Sequence, residues 1–457
     1  RITQIEDRGA AVAWSPVASH ADFIVLGAKD SAGIGFEDTG GDLELCDLNI
    51  TCPDGSSPLP RIVGTVKTNS RFASIGWTPG SGAVAKSFPL GLVAGGMTDG
   101  TVHVWNPQAI LNKQANSLVA TIKKHSGGAI KALSFSTLSP NMLATGGSDG
   151  QVLITNLDNP SNPITTMPGT EPSKGPEVTK LAWNTQVAHI VAAAAGDGSV
   201  TIWDVNAKKP WCRVQAESSG IPISDLQWNP TQGLHLVTAS GDDRNPLLKL
   251  WDLRASTTMP LATLSGHTQG ILGLAWCPHD ETLLMSCGKD NRTILWDLFS
   301  LQPIADIPNE EQEQQMPETV QKTPSDLFSA GGLSSSQQKR YDVQWSPLKR
   351  GVVSTCSFDR KVQAHSVIGL ATKCGRPPKW LAPSSGVSCA FGAAVVSFSS
   401  IDKVVKLRTV VEEPELVKAS NYFEAEMAQG ETIQFCQSMA DKARRKGDVS
   451  EAEMWGF

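Results

Sequence analysis

Residues 265–298 hold three short apolar runs, at 271–276, 283–287 and 293–298, each alternating with a period of two and separated by turn-forming residues. Three strands of this length make a small sheet with two faces to cover and no core of its own. Gly266-His267 stands before the first run, and Trp296-Asp297 falls in the last. Such a unit is stable only between copies of itself, so the fold is decided by whether it recurs.

It does recur. The aromatic that ends the first strand reappears at Trp14, Trp77, Phe135, Trp183, Trp228, Trp276 and Trp345, which makes seven positions. After each comes a Gly/Asp turn and a third strand of the kind seen in Val102-His-Val-Trp-Asn and Leu248-Lys-Leu-Trp-Asp. Cys46-Asp47, Thr155-Asn156 and His365-Ser366 depart from Trp-Asp, yet the period stays near the ~40–45 residues of a WD repeat. The sequence therefore predicts a mainly β chain whose residues 1–370 form a seven-bladed WD-repeat β-propeller. A strand at 2–5 precedes the first repeat and the seventh repeat has only three strands, so the first strand is expected to complete the last blade.

Two stretches break the period. Residues 308–340, with Glu310-Glu311-Gln312, Pro317, Pro324 and a Gly/Ser-rich run, have little to bury and read as a disordered insertion. Beyond Gly375 the repeat ends, and strands are expected at 386–391, 393–399 and 403–411. Val387, Phe391, Val395, Val396, Phe398, Val404 and Leu407, with Trp380 at the head of the segment, put apolar residues on both faces of this sheet. The seven-bladed ring has no gap for it, so 376–411 is expected to be a blade inserted into another molecule. From 412 to 457 the period turns helical: Leu416, Ala419, Phe423 and Met427 share one face, then Ile433, Cys436, Ala440 and Ala443 share another, and Gly447 is the predicted stop. Ser450 and Glu453 form a capping box opening a third helix, so the chain ends in the start of an α-helical region.

A net charge of −6 and a pI near 5.8 supply no positive field, which argues against nucleic acid or an anionic membrane as partner. The nine cysteines are scattered without a C-x-x-C pair, the pattern of reduced, cytoplasmic thiols. No apolar run reaches the ~18 residues of a membrane span, so no direct membrane insertion is expected. Arg1 is not an initiator Met, and the chain is expected to begin a few residues into the natural protein. His267, Ser286 and Asp290 have the residue types of a nucleophilic triad. Their spacing within one blade, together with Trp296, is that of a structural hydrogen-bond relay, and His125, Thr145 and Asp149 form a version of it without the Trp. Cys277, His279 and Cys287 are too irregular for a zinc site. No phosphate-binding glycine motif occurs, so no catalytic residue, metal or cofactor is expected.

The order of parts resembles one family, the large subunit of the outer layer of the COPII vesicle coat. The likeness is carried by Ala13-Trp-Ser-Pro, Lys124-His-Ser-Gly, Gly241-Asp-Asp-Arg with Lys249-Leu-Trp-Asp-Leu-Arg, Ser286-Cys-Gly-Lys-Asp, and above all Pro377-Pro-Lys-Trp, Val387-Ser-Cys-Ala-Phe-Gly and Ile433-Gln-Phe-Cys-Gln. It implies a non-enzymatic scaffold in ER-to-Golgi transport, cytoplasmic and peripheral on ER exit sites and vesicles. It also implies that the short sheet completes the small outer-coat propeller subunit, that other copies of the chain meet at cage vertices, and that 412–457 begins an α-solenoid. The competing expectation is a generic WD-repeat adaptor such as a ubiquitin-ligase substrate receptor, which has no need of the C-terminal sheet and helix.

Overall fold

The computed structural model describes residues 2–29, 40–50, 59–168, 175–218, 220–308, 339–371, 378–380, 385–390, 394–399, 404–409, 418, 421–422, 425 and 432–447. Seven four-stranded antiparallel sheets follow one another, each a blade of the predicted kind. Blade one is Ala10–Trp14, Phe23–Ala28, Gly41–Asp47 and Arg61–Thr68; blade two is Phe72–Thr78, Leu92–Met97, Val102–Trp105 and Leu118–Ile122. Blade three is Ala132–Phe135, Met142–Gly146, Val152–Asn156 and Ile164–Thr166; blade four is Val178–Trp183, Ile190–Ala195, Ser199–Asp204 and Lys209–Gln215. Ile223–Trp228, His235–Ser240, Leu247–Asp252 and Ala262–Ser265 make blade five, and Ile271–Trp276, Leu283–Gly288, Thr293–Asp297 and Gln302–Asp306 make blade six. Blade seven takes Arg340–Trp345, Val352–Ser357 and Val362–Ser366 from the end of the ring and Thr3–Ile5 from its start.

Closure is antiparallel and in register, with Thr3 opposite Ala364 and Ile5 opposite Val362. The apolar clusters lie between blades, as the alternation requires: each first strand contacts the first strand of the next blade, and the faces between them are filled by residues such as Leu226, Leu236 and Trp251. Some of the tryptophans that end first strands also tie blades together, whereas Trp77 and Trp276 bond carbonyls of their own blades. Trp183 Nε1 donates to Ser134 O of blade three at 3.0 Å, Trp228 Nε1 to Ala182 O of blade four at 3.1 Å, and Trp345 Nε1 to Ala275 O of blade six at 3.1 Å. A buried indole N–H must find an acceptor, and the neighbouring blade supplies it.

Two expected boundaries move. Arg340, placed by the sequence at the end of the insertion 308–340, is a buried first residue of a strand. Its guanidinium donates to Ile307 O and Pro308 O, both at 3.1 Å, so each edge of the insertion belongs to the ring and the remainder, 309–338, lies outside the described residues. The ring's compact unit also runs past 370 to Lys379. The helix Ile368–Ala371 lies against Gln302–Asp306, and Ala371 is fully buried. Further on, the Lys379 amide donates to Asp280 Oδ2 at 2.8 Å and its ammonium pairs with Glu281 at 2.5 Å, which holds the chain to blade six as far as Lys379.

The second compact unit is Trp380–Phe457. Within it, Ser385–Ala390, Ala394–Ser399 and Val404–Thr409 form an antiparallel three-stranded sheet in sequence order. The helix Thr432–Lys446 follows, with Ala440 and Ala443 buried as its apolar spacing demands. Gly447, at φ +81°, ends it where a left-handed residue is needed. The helices expected near 416–427 and from 450 lie wholly or mostly outside the described residues.

Candidate functional site

The relay of blade six is assembled from a loop, a turn and two strands. His267 Nε2 lies 2.7 Å from Ser286 Oγ, His267 Nδ1 lies 3.0 Å from Asp290 Oδ2, and Trp296 Nε1 donates to Ser286 Oγ at 2.8 Å. Asp290 also accepts from the amides of Thr268 at 2.9 Å and Arg292 at 3.1 Å. One proton arrangement satisfies every member: the indole donates to the hydroxyl, the hydroxyl to Nε2, and Nδ1–H to the carboxylate. Ser286 is 0% exposed and Trp296 1% exposed, so no substrate reaches the hydroxyl and the set cannot act as a nucleophilic triad. What it does is hold the loop before blade six to that blade's second and third strands.

Blade three carries the shorter version. His125 Nε2 is 3.0 Å from Thr145 Oγ1 and Nδ1 is 3.1 Å from Asp149 Oδ2, while Thr155, in place of the tryptophan, bonds Thr165 instead. Burial holds the His125 imidazole below its ordinary value against the raising pull of Asp149. In blade five only the last link survives, Trp251 Nε1 donating to Thr238 Oγ1 at 3.1 Å.

A second polar node joins three blades. Asp225 Oδ2, on a residue 1% exposed, accepts from Lys180 Nζ of blade four at 3.1 Å and from the Leu274 amide of blade six at 3.0 Å. Burial works against the Lys180 charge, but Asp225 and Asp342 outweigh it and hold the ammonium above its usual range. Sequence reasoning missed this node, because its members are 45 and 49 residues apart and nothing local marks them.

The four fully buried thiols offer no nucleophile. Burial pushes Cys46 and Cys277 up to about 12 and drives Cys287 and Cys356 up as well, so all four are protonated at neutral pH. Among the described residues no group of three His, Cys, Asp or Glu side chains is placed to hold a metal ion, and no helix is long and apolar enough to cross a membrane.

The residues singled out for partner binding fall on the second unit's sheet by register. Phe398 stands opposite Gly386 and Val405, and Val396 opposite Ser388 and Leu407, so Val396, Phe398 and Leu407 share one face. Val387 opposite Ser397, Val395 opposite Cys389 and Arg408, and Val404 opposite Ser399 define the other face, which they share with Lys406. The pairing therefore divides the predicted apolar set unevenly, with the charged positions on one side. Trp380 is a half-buried turn residue, and Phe391 lies outside the described residues.

Seven sheets closed by the first strand, with a histidine–hydroxyl–tryptophan relay in blade six and parts of it in blades three and five, define a WD-repeat β-propeller protein. The family described as "WD domain, G-beta repeat" matches residues 116–156, 161–204 and 258–297. Along nearly its whole length the chain is similar to the Sec31 protein-transport proteins. It is 28% identical to "Protein transport protein SEC31" of Dictyostelium discoideum over 98% of this chain and 37% of that protein. It is 31% identical to "Protein transport protein SEC31 homolog B" of Arabidopsis thaliana over 98% of this chain and 40% of that one. The chain thus spans well under half the length of these relatives. Among solved structures, "COPII on membranes, outer coat vertex" superposes with a TM-score of 0.64 at 25% identity, covering 89% of this chain and 99% of the other.

Proposed function

We propose that this chain is a scaffold of the outer COPII coat in ER-to-Golgi transport, and that its C-terminal sheet docks as a blade into the small outer-coat propeller subunit. The observation that carries the docking is the completeness of the ring: all seven blades are four-stranded with the chain's own strands, and Ser385–Ala390, Ala394–Ser399 and Val404–Thr409 are left over. A three-stranded sheet with apolar positions on both faces needs a partner to cover them, and an incomplete propeller offers it two neighbouring blades and a closed edge. The homology to Sec31 proteins and the likeness to an outer-coat vertex support the coat as the setting.

In this role the protein is not an enzyme and takes no cofactor. It sits on the cytoplasmic face of ER exit sites and vesicles as a peripheral component, and copies of it meet at cage vertices through their propellers. Size-exclusion chromatography of the chain mixed with the small outer-coat subunit tests the docking. Co-elution as a one-to-one complex is expected; separate elution at micromolar concentrations of both overturns the reading.

A further inference from the structure

Blade one ends in the longest outer strand of the ring, Arg61–Thr68, with eight residues where the next longest, Lys209–Gln215, has seven. It is paired on one side only, with Gly41–Asp47, and among the described residues no group bonds the backbone of 62–66 from the other side. Proteins keep such edges short, break them with proline or cover them, because an open row of N–H and C=O groups pairs with an extended chain that meets it. A groove of about 420 Å³ runs beside this edge, lined by all five residues of 62–66 on one side and by Ile110, Lys113 and Gln114 on the other. Successive side chains of a strand point to opposite faces, so five consecutive residues line one groove only where it follows the strand's edge.

The far wall carries the charge. Gly64 lets the helix Pro107–Leu111 come down on the strand, since a Cβ there would stand 2.6 Å from Ile110 O. Beyond this helix the Gln114 amide donates to Ala109 O at 2.9 Å and the Lys113 amide to Ile110 O at 3.0 Å, the paired bonds of a Schellman motif. That motif needs a left-handed residue, for which glycine is usual, and Lys113 takes the position at φ +55°. Glycine would suit the backbone better, so what the lysine adds is its side chain. Lys113 is exposed, forms no ion pair among the described residues, and is the one charged residue of the groove's lining. Ile62, 43% exposed, adds an apolar side chain on the strand.

We infer that this groove takes an extended polypeptide segment, which adds a fifth strand to blade one along 62–66 and sets a carboxylate of its own against Lys113. The open edge selects an extended backbone, and the unpaired ammonium in the facing wall selects an acidic side chain on it. This reading does not depend on the coat assignment, since it uses only residues of blades one and two.

The test follows amide hydrogen exchange of the full chain by mass spectrometry while the blocked peptide acetyl-Thr-Ile-Thr-Val-Glu-Thr-amide is added. The expected result is saturable extra protection of 61–68. Two further peptides are N-methylated on alternate residues, each blocking one edge of the probe. One of them should abolish the protection and the other keep it, since only one edge of an added strand faces the blade. Lys113→Gly should weaken the Glu peptide by about fivefold, the upper reach of an exposed ion pair, while the melting temperature stays equal or rises. Lys113→Glu should reverse the preference, favouring the peptide with Lys in place of Glu. No saturable protection of 61–68, an equal effect of the two N-methylation patterns, or unchanged affinity for the Glu peptide in both Lys113 variants overturns the proposal.

Discussion

Trp14 Nε1 donates to Ser354 Oγ at 2.8 Å, joining the first blade to the last across 340 residues of chain. Beside this bond Tyr341 Oη donates to Ala10 O at 2.6 Å and Gln344 Nε2 to Val12 O at 2.8 Å, so the seam between blades seven and one is stitched by side chains of blade seven as well as by the strand Thr3–Ile5. The seam is where a ring without covalent closure opens first, because only here do the first and last strands of the ring meet.

Removing the seam's parts should therefore lower stability in a graded way. Ser354→Ala leaves the buried Trp14 indole unpaired and is expected to cost ~1–3 kcal/mol in urea unfolding. Deleting 1–5 removes the fourth strand of blade seven and should lower the melting temperature further. A melting curve unchanged by the deletion would show that the ring does not depend on this strand.

The blade-six relay makes a prediction about coupling. His267→Ala and Asp290→Ala should each destabilise by ~1–3 kcal/mol, because each strands a buried polar partner. The double variant should cost less than the sum, since both act through one network. Full additivity in a double-mutant cycle contradicts the shared relay.

Acidification should weaken the protein through its buried histidines. His125 is held below its ordinary pKa of 6.5, chiefly by burial, and burial lowers His103 and His279 likewise. A depressed histidine binds its proton more readily when unfolded, so its contribution is complete above about pH 6.5 and is lost as pH falls below that value. Asp149 acts in the same direction at lower pH: burial would raise it, but the Gln151 and Ser126 amides and His125 together hold it below 3.8, so its contribution disappears only on further acidification. Unfolding free energy should be smaller at about pH 5.5 than at about pH 7.5, and His125→Asn should flatten that slope. A rise in stability on acidification across this interval rules the account out.

How much of this was legible in the sequence depends on the distance over which each signal acts. The blade period, the closing strand and the spacing of His267, Ser286, Asp290 and Trp296 are repeated or local patterns, and they could be read before any coordinates. The tie from Trp183 to blade three, the Asp225 node and the hold of Asp280 on Lys379 join residues 49, 45 and 99 apart, and periodicity carries no information about them. The cavity of about 420 Å³ lined by Val152, Val178, Ala193 and Trp203 lies between these cases. Aligning the second strands of blades two to six puts Thr145, Thr238 and Ser286 in one column with Gly95 and Ala193, so the missing hydroxyls were visible, while the space beside Ala193 was not.

The C-terminal sheet gives the sharpest test of the coat reading, because its register divides the two faces. Val396, Phe398 and Leu407 share a face with Val405, whereas Val387, Val395 and Val404 share theirs with Lys406 and Arg408. If the sheet docks as a blade, the face without charged positions meets the tighter cover, and a carboxylate placed there has to be buried. Phe398→Asp is then expected to weaken binding to the small outer-coat subunit by about 2–4 kcal/mol, and Val387→Asp on the mixed face by clearly less. Combining Phe398→Asp with Phe391→Asp should separate the two subunits at micromolar concentration in size-exclusion chromatography. Circular dichroism and a ring melting temperature equal to that of the unaltered chain show that the substitutions have left the propeller intact. Full co-elution of the double variant with its partner, or equal effects of Phe398→Asp and Val387→Asp, would mean that this sheet is not an inserted blade.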